Sequence, residues 1–175
     1  MGTPLAELVL PRLRDIQDFP SPGILFKDVT PLLADPEAFG SVVRDIAERR
    51  RGTVDLVVGV EARGFIFGAA LAYELAVGFV PVRKQGKLPG TTRSLSYDLE
   101  YGSATIEVHE DAFVQGARVL VVDDVLATGG TAVATCDLVE QAGGRVVAFE
   151  TVVELSFLPG RERLAGRDVH ATVVI

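Results

Sequence analysis

The thirteen residues from Val119 to Thr131, VLVVDDVLATGGT, constrain this chain more than any other stretch. The stretch opens on an apolar run rich in β-branched residues, Val119 to Val122, which predicts a fully buried strand of a parallel sheet. Asp123 and Asp124 follow where such a strand surfaces. Ala127, Thr128, Gly129, Gly130 and Thr131 then make a Gly-rich turn, and Ala132 to Gln141 has the character of a helix. A helix that starts in this way points its free N–H groups and the positive end of its dipole into the turn. Glycines let the backbone approach an anion, and the Thr128 and Thr131 hydroxyls add donors. The order strand, acid pair, turn, helix therefore predicts a phosphate cradle.

Carboxylates repel phosphate, so their place beside the cradle needs a reason. Ribose hydroxyls or a bound Mg²⁺ supply one, since both favour anionic oxygens. A Walker loop requires a Lys before its final Ser/Thr, where this chain has Gly130. A dinucleotide fingerprint requires three spaced glycines, and this turn has a pair. The cradle thus suits a ribose 5-phosphate better than a nucleoside triphosphate or a dinucleotide.

Around this stretch the chain alternates between the two periodicities. Leu5 to Ile16 predicts a helix bent or broken at Pro11, and Asp18 to Pro31 a Pro/Gly-punctuated loop that carries Ile24, Leu25 and Phe26. Asp35 to Arg51 reads as a helix capped by Asp35, with Pro36 in its first turn and Phe39, Val42, Val43, Ile46 and Ala47 on one face. Arg49, Arg50 and Arg51 are expected to form its solvated end. Leu56 to Val60 predicts a buried strand, Glu61 to Arg63 a turn, and Gly64 to Leu75 a helix. Arg63 thereby sits where a second strand end opens a helix. Phe79 to Arg83 predicts a third strand. Lys87 to Ser103 is polar and Thr/Ser-rich, and predicts a mobile β-hairpin whose return strand is Ala104 to Val108. Arg145 to Glu154 and Val169 to Ile175 predict the last strands, with a short helix near Arg161 to Leu164. The expected architecture is α/β, a mainly parallel twisted sheet flanked by helices, with the functional loops on the carboxyl rim.

Net charge is −7, which argues against nucleic-acid affinity and makes the cluster Arg83, Lys84 and Lys87 more informative. No apolar run reaches membrane-spanning length, and the N-terminus lacks a secretory pattern. The single cysteine, Cys136, allows no internal disulfide and fits a reducing cytoplasm. His109 and His170 lack ligand-like spacing and are expected to be structural. At 175 residues the simplest organisation is one domain spanning 1–175.

Five colinear segments carry a family resemblance. The stretch at Val119–Thr131 resembles the 5-phosphoribosyl 1-pyrophosphate (PRPP) motif of type I phosphoribosyltransferases. DFPSPGILFKDVTPLL at Asp18–Leu33 resembles the base-binding hood of the adenine phosphoribosyltransferase branch. VEARGFIFG at Val60–Gly68 resembles its pyrophosphate loop, and RKQGKLPG at Arg83–Gly90 and SYDLEYG at Ser96–Gly102 the two ends of its mobile loop. The resemblance implies the type I phosphoribosyltransferase fold, with a hood over about 1–34 and a lid hairpin over about 84–108. It implies transfer of phosphoribose from PRPP to adenine, giving AMP and pyrophosphate, with Mg²⁺ as cofactor in a cytoplasmic homodimer.

The same resemblance assigns residues. Asp123, Asp124, Ala127, Thr128, Gly129, Gly130 and Thr131 hold ribose 5-phosphate; no direct metal ligand is assigned, Asp123 and Asp124 are candidates to reach Mg²⁺ through water, and whether the ion touches protein directly stays open. Arg63, Arg83 and Lys87 meet pyrophosphate, the latter two in their own or a neighbouring subunit's site. Phe26 stacks on the base while backbone groups of Leu25 and Lys27 read its edge. Lys27 stands where many members carry Arg, which keeps the charge but loses a planar donor fork. Glu100 is the expected acid/base and Tyr101 belongs to the lid. Two other readings remain open: the same chemistry on another base, discriminated by competition of bases for PRPP, and a non-catalytic PRPP- or purine-sensing regulator, discriminated by turnover.

Overall fold

A computed structural model of the chain describes residues 4–98 and 102–175, so the lid positions Glu100 and Tyr101 lie outside the described residues. The first segment is helical as expected only to Arg12: helix α1 is Leu5–Val9, and a 3-10 turn follows over Leu10–Arg12. Arg14–Gln17 is strand β1, not the end of a bent helix. It pairs antiparallel with β2, Leu25–Asp28, so the segment expected to be a loop is half of a two-stranded hairpin. All four residues of β1 are exposed, so no buried alternation marks the strand in the sequence.

Asp28 anchors this hairpin. Its carboxylate accepts from the Thr30 N–H at 2.9 Å, the Thr30 hydroxyl at 2.7 Å and Arg14 Nη2 at 2.6 Å. Burial raises the Asp28 pKa, but these hydrogen bonds outweigh it and hold the carboxyl at about 2. Thr30–Ala34 is helix α2 and Pro36–Arg50 helix α3. Asp35 caps α3 as expected, accepting from the N–H groups of Glu37 and Ala38 at 3.0 Å.

The C-terminal end of α3 departs from expectation. Arg50 is buried, not solvated: Nε donates to Glu150 Oε1 and Nη1 to Asp168 Oδ2, both at 2.6 Å. Glu150 is 0% exposed, and burial raises its pKa against the pull of Arg50. A guanidinium can be buried here because two carboxylates receive its fork.

The main sheet is built from β3 (Leu56–Val60), β4 (Gly78–Lys84), β5 (Thr92–Asp98), β6 (Ser103–His109), β7 (Arg118–Leu126), β8 (Arg145–Glu154) and β9 (Val169–Val174). Its order is β5-β6-β4-β3-β7-β8-β9. The strands β3, β4, β7, β8 and β9 run parallel, and the β5–β6 hairpin adds to the β4 edge in antiparallel pairing. Helix α4 (Gly64–Leu75) links β3 to β4, helix α5 (Gly130–Gln141) links β7 to β8, and helix α6 (Gly160–Arg163) precedes β9. The apolar runs of β3 and β7 are buried on both faces. Val57, Leu120 and Val122 pack with Ile46 of α3 and Phe67 and Leu71 of α4, whereas Val58, Val119 and Val121 pack with Leu138 and Val139 of α5. Continuous Val/Leu runs suit strands covered by helices on both sides.

From β3 the chain steps outward to β4, then returns past β3 to β7 and steps the other way to β8 and β9. The switch point lies between β3 and β7, and loops leaving their carboxyl ends splay apart there to make a crevice.

Candidate active site

Both expected anion loops open at this crevice. The turn Glu61–Arg63 leaves β3, and the cradle leaves β7. Strand β7 continues through both acids to Leu126, so Asp123 and Asp124 project from the last part of the strand itself. Gly64, the first residue of α4, lies so close to β7 that a Cβ there would meet the Val122 carbonyl at 2.8 Å and Asp123 Oδ1 at 3.0 Å. Only glycine lets the two loops approach this closely. The Glu61–Ala62 peptide is cis.

In the cradle Gly129 has φ +82°, a left-handed conformation that glycine adopts without a Cβ clash. A Cβ on Gly129 would also lie 2.8 Å from the Gly160 carbonyl, and one on Gly160 would lie 2.3 Å from the Ala127 carbonyl. The cradle is thus braced from behind by the start of α6. The bond from Val133 N–H to the Gly129 carbonyl, 2.9 Å, is the first of α5. The N–H groups of Gly130, Thr131 and Ala132 have no helical acceptor, and they face the turn with the helix dipole behind them.

A cavity of about 680 Å³ occupies the crevice, a size typical of small-molecule sites at roughly 300–1,000 Å³. Its walls bring together Leu25, Phe26 and Lys27 of the hairpin, Arg63, the acids Asp123 and Asp124, and Ala127, Thr128 and Thr131 of the cradle. Arg63 is ion-paired with Asp124, which is 4% exposed. The same guanidinium lies over Phe26, with Cζ 4.7 Å from the ring centroid. Phe26 also meets Phe19 edge to face, with centroids 5.1 Å apart and planes at 74°. Lys27 Nζ is held by Asp15 Oδ1 at 2.6 Å across the hairpin. Burial, and then the adjacent Asp124 charge, push the Asp123 carboxyl well above its usual range.

Arg83 and Lys87 are not part of this wall. Arg83 forms a fork with Glu61, Nε and Nη2 each at 3.2 Å from a carboxylate oxygen, and its Nη1 donates to the Lys87 carbonyl at 3.0 Å. The N–H groups of Lys87 and Leu88 donate to buried Glu107 at 2.9 Å, while the Lys87 side chain is exposed. The root of the hairpin is therefore pinned at Glu61 and Glu107.

Several wall residues escaped the sequence reading. Leu155, Phe157 and Leu158, after β8, close the cavity on one side, and Phe157 is 69% exposed. A Leu-Ser-Phe-Leu-Pro run at a strand's carboxyl end was the available signal. Tyr97 of β5, outside that wall and read only as part of the lid stretch Ser96–Gly102, had no role of its own; its hydroxyl lies 3.0 Å from Thr131 Oγ1. Cys136 is buried and its thiol is pushed up to about 12 by burial, as a structural cysteine requires. His109 Nε2 pairs with the Pro89 carbonyl at 2.9 Å. Among the described residues no cluster of three or more His, Cys, Asp or Glu side chains can hold a metal. No helix among them is long and apolar enough to cross a membrane.

An α/β sheet with a phosphate cradle and an acid pair at its switch point defines a protein of the phosphosugar-binding class. The family model for the phosphoribosyl transferase domain matches residues 32–171. The adenine phosphoribosyltransferase of Salinispora tropica is 59% identical over 175 residues, covering 99% of this chain and 93% of the relative. The crystal structure of adenine phosphoribosyltransferase from Thermoanaerobacter pseudethanolicus superposes with a TM-score of 0.94 at 49% identity, covering 98% of this chain and 99% of that one. That of the Saccharomyces cerevisiae enzyme, complexed with an imino-altritol bisphosphate and adenine, superposes with a TM-score of 0.91 at 39% identity, covering 97% and 98%. The chain belongs to the adenine phosphoribosyltransferase family.

Proposed function

We propose that the protein is a purine-salvage enzyme that converts adenine and PRPP to AMP and pyrophosphate. The observation that carries this reading is the single cavity lined by the cradle, the acid pair, Arg63 and the aromatic hairpin. In the reaction the bond from the anomeric carbon to the pyrophosphate oxygen breaks. A ring nitrogen of adenine bonds to that carbon, and its proton leaves. The transition state has oxocarbenium character, as in glycoside cleavage, so the site must hold the ribose, neutralise the leaving group and exclude water.

Each need has a proposed answer among these residues. The N–H groups of Gly130 and Thr131, with Ala127, Thr128 and Gly129, hold the 5-phosphate. Asp123 and Asp124 hold ribose hydroxyls. Arg63 swings from Asp124 to the pyrophosphate, which then takes its charge. Phe26 stacks on adenine, while the Leu25 and Lys27 backbone reads the base edge. That role suits a Lys27 side chain already paired to Asp15. Glu100 manages the proton of the base nitrogen, and Tyr101 closes with the lid.

Magnesium fits this donor set as part of the PRPP complex: two carboxylates, one already paired with Arg63, are too few for a cage of protein ligands. It would supply neutralisation of the pyrophosphate oxygens, with Asp123 and Asp124 in reach through water.

Arg83 and Lys87, outside the cavity wall, are assigned to pyrophosphate in a homodimer. The dimer has support in α4, whose Ile66 and Tyr73 leave an apolar stripe exposed, 44% and 88% respectively. A single domain acting in the cytoplasm completes the reading, in keeping with the buried, unpaired Cys136. The test is formation of AMP from adenine, PRPP and Mg²⁺, with hypoxanthine, guanine and a pyrimidine as competitors. Turnover of adenine in preference to the others is expected. PRPP binding without turnover would favour a regulator.

A further inference from the structure

The hydroxyl of Tyr97 and Oγ1 of Thr131 are 3.0 Å apart. This hydrogen bond joins the β5–β6 hairpin to the phosphate cradle. Tyr97 is held in place by the ladder, opposite Ala104 on β6. The hairpin end also lies close to the cradle: a Cβ at Gly130 would be 3.7 Å from the Tyr97 ring and 3.5 Å from the Asp98 carbonyl. Thr131 is the second residue of α5, and it lines the cavity with Asp123 and Asp124.

Each hydroxyl has one proton to donate and lone pairs to accept with. With the cradle free of anion, either group can donate to the other. A phosphate oxygen only accepts, so when it occupies the cradle it takes the Thr131 proton. Thr131 Oγ1 is then left as an acceptor, and the phenol must donate to it. The chain Tyr97 to Thr131 to phosphate runs in one direction, ends on a charge and is strengthened throughout. The bond between hairpin and cradle is thus stronger in the occupied state than in the free one. A contact that differs between two states couples them, and the coupling is reciprocal.

We propose that Tyr97 is a positioning residue that couples docking of the β5–β6 hairpin to occupancy of the ribose 5-phosphate cradle. The proposal rests on the phosphoribosyl reading of the site. It makes the phosphate of PRPP a signal that holds the hairpin down while the base nitrogen attacks the anomeric carbon.

Tyr97→Phe keeps the ring against Gly130 and removes the hydroxyl. The KM for PRPP should rise about three- to tenfold, the effect of one ordinary hydrogen bond, while kcat at saturating PRPP stays within about twofold. Amide exchange over residues 92–98 is measured with and without ribose 5-phosphate. The wild type should gain protection on adding the ligand, and Tyr97→Phe should gain little. In a cycle with Thr131→Ala the two losses should fall short of additive, since both remove the same link. A merely structural Tyr97 would lower the melting temperature and leave the KM and the ligand-induced protection unchanged, which overturns the proposal. A wild type that turns over adenine but shows no ribose 5-phosphate effect in the hairpin overturns it too. Failure to form AMP at all would instead remove the phosphoribosyl reading beneath it.

Discussion

The guanidinium of Arg63 covers the face of Phe26, its Cζ 4.7 Å from the ring centroid, while it is ion-paired with Asp124. A planar base that stacks on this face takes the place of the guanidinium. Phe26→Ala should therefore raise the KM for adenine far more than that for PRPP. Stacking of a base on an aromatic ring contributes about 1–3 kcal/mol, so the rise should be roughly 5- to 150-fold. Steady-state kinetics with each substrate varied checks this. A lowered melting temperature with an unchanged adenine KM would make Phe26 a packing residue only.

Asp124→Asn should cut kcat/KM for PRPP about ten- to hundredfold, since a hydrogen bond to a charged group contributes about 1.5–3 kcal/mol. The fold should survive, because the amide retains an acceptor for Arg63. Assays at subsaturating PRPP decide it, and wild-type efficiency there would end the ribose role.

Asp123→Asn should behave differently in the absence of ligand. The folded-state pKa of Asp123 is raised by burial and by Asp124, so its contribution to stability is present below the unfolded pKa near 3.8. That contribution is lost as pH rises through the folded value. At neutral pH this carboxyl therefore makes the free protein less stable than a neutral group would, and the amide should raise the melting temperature. The gain should shrink as pH falls towards 4. Asn Oδ1 can still accept the Asp124 N–H, now at 2.9 Å. Melts of both proteins across this range check the sign, and PRPP use should fall in the same variant.

Glu150→Ala should destabilise the fold by about 3–5 kcal/mol, because it leaves the buried Arg50 guanidinium without one of its partners. Urea unfolding measures the loss. Glu150→Gln, which keeps an acceptor for Arg50 Nε, should lose less.

Glu100→Gln should lower kcat by about 10²–10⁴, the range for a positioned acid or base, with little change in PRPP affinity. Single-turnover kinetics isolates the chemical step. A smaller loss would mean that the base nitrogen gives up its proton without help from this side chain.

Much of this was legible in the chain because the signals were local. Asp35 and Pro36 announced the start of α3, and the Val/Leu runs before Glu61 and Asp123 announced β3 and β7. The glycines and threonines after Asp124 carried the cradle. What escaped depends on distant pairings. The burial of Arg50 is set by Glu150, 100 positions away, and no helix-end rule contains that partner. The strand character of Arg14–Gln17 comes from pairing with β2, since its own side chains are all exposed. Tyr97 meets Thr131 only because the hairpin register and the start of α5 bring them to one place.

The pairing of β3 with β7, Val58 beside Val121, has a kinetic consequence. The two loops that make the cavity belong to neighbouring strands that are far apart along the chain. Closing so long a loop is entropically unfavourable, and such non-local contacts form late when a chain folds. A binding site made of both loops does not exist in the early ensemble. Substrate then has nothing to grip until the sheet is assembled, so it should leave the refolding rate almost unchanged and act by slowing unfolding.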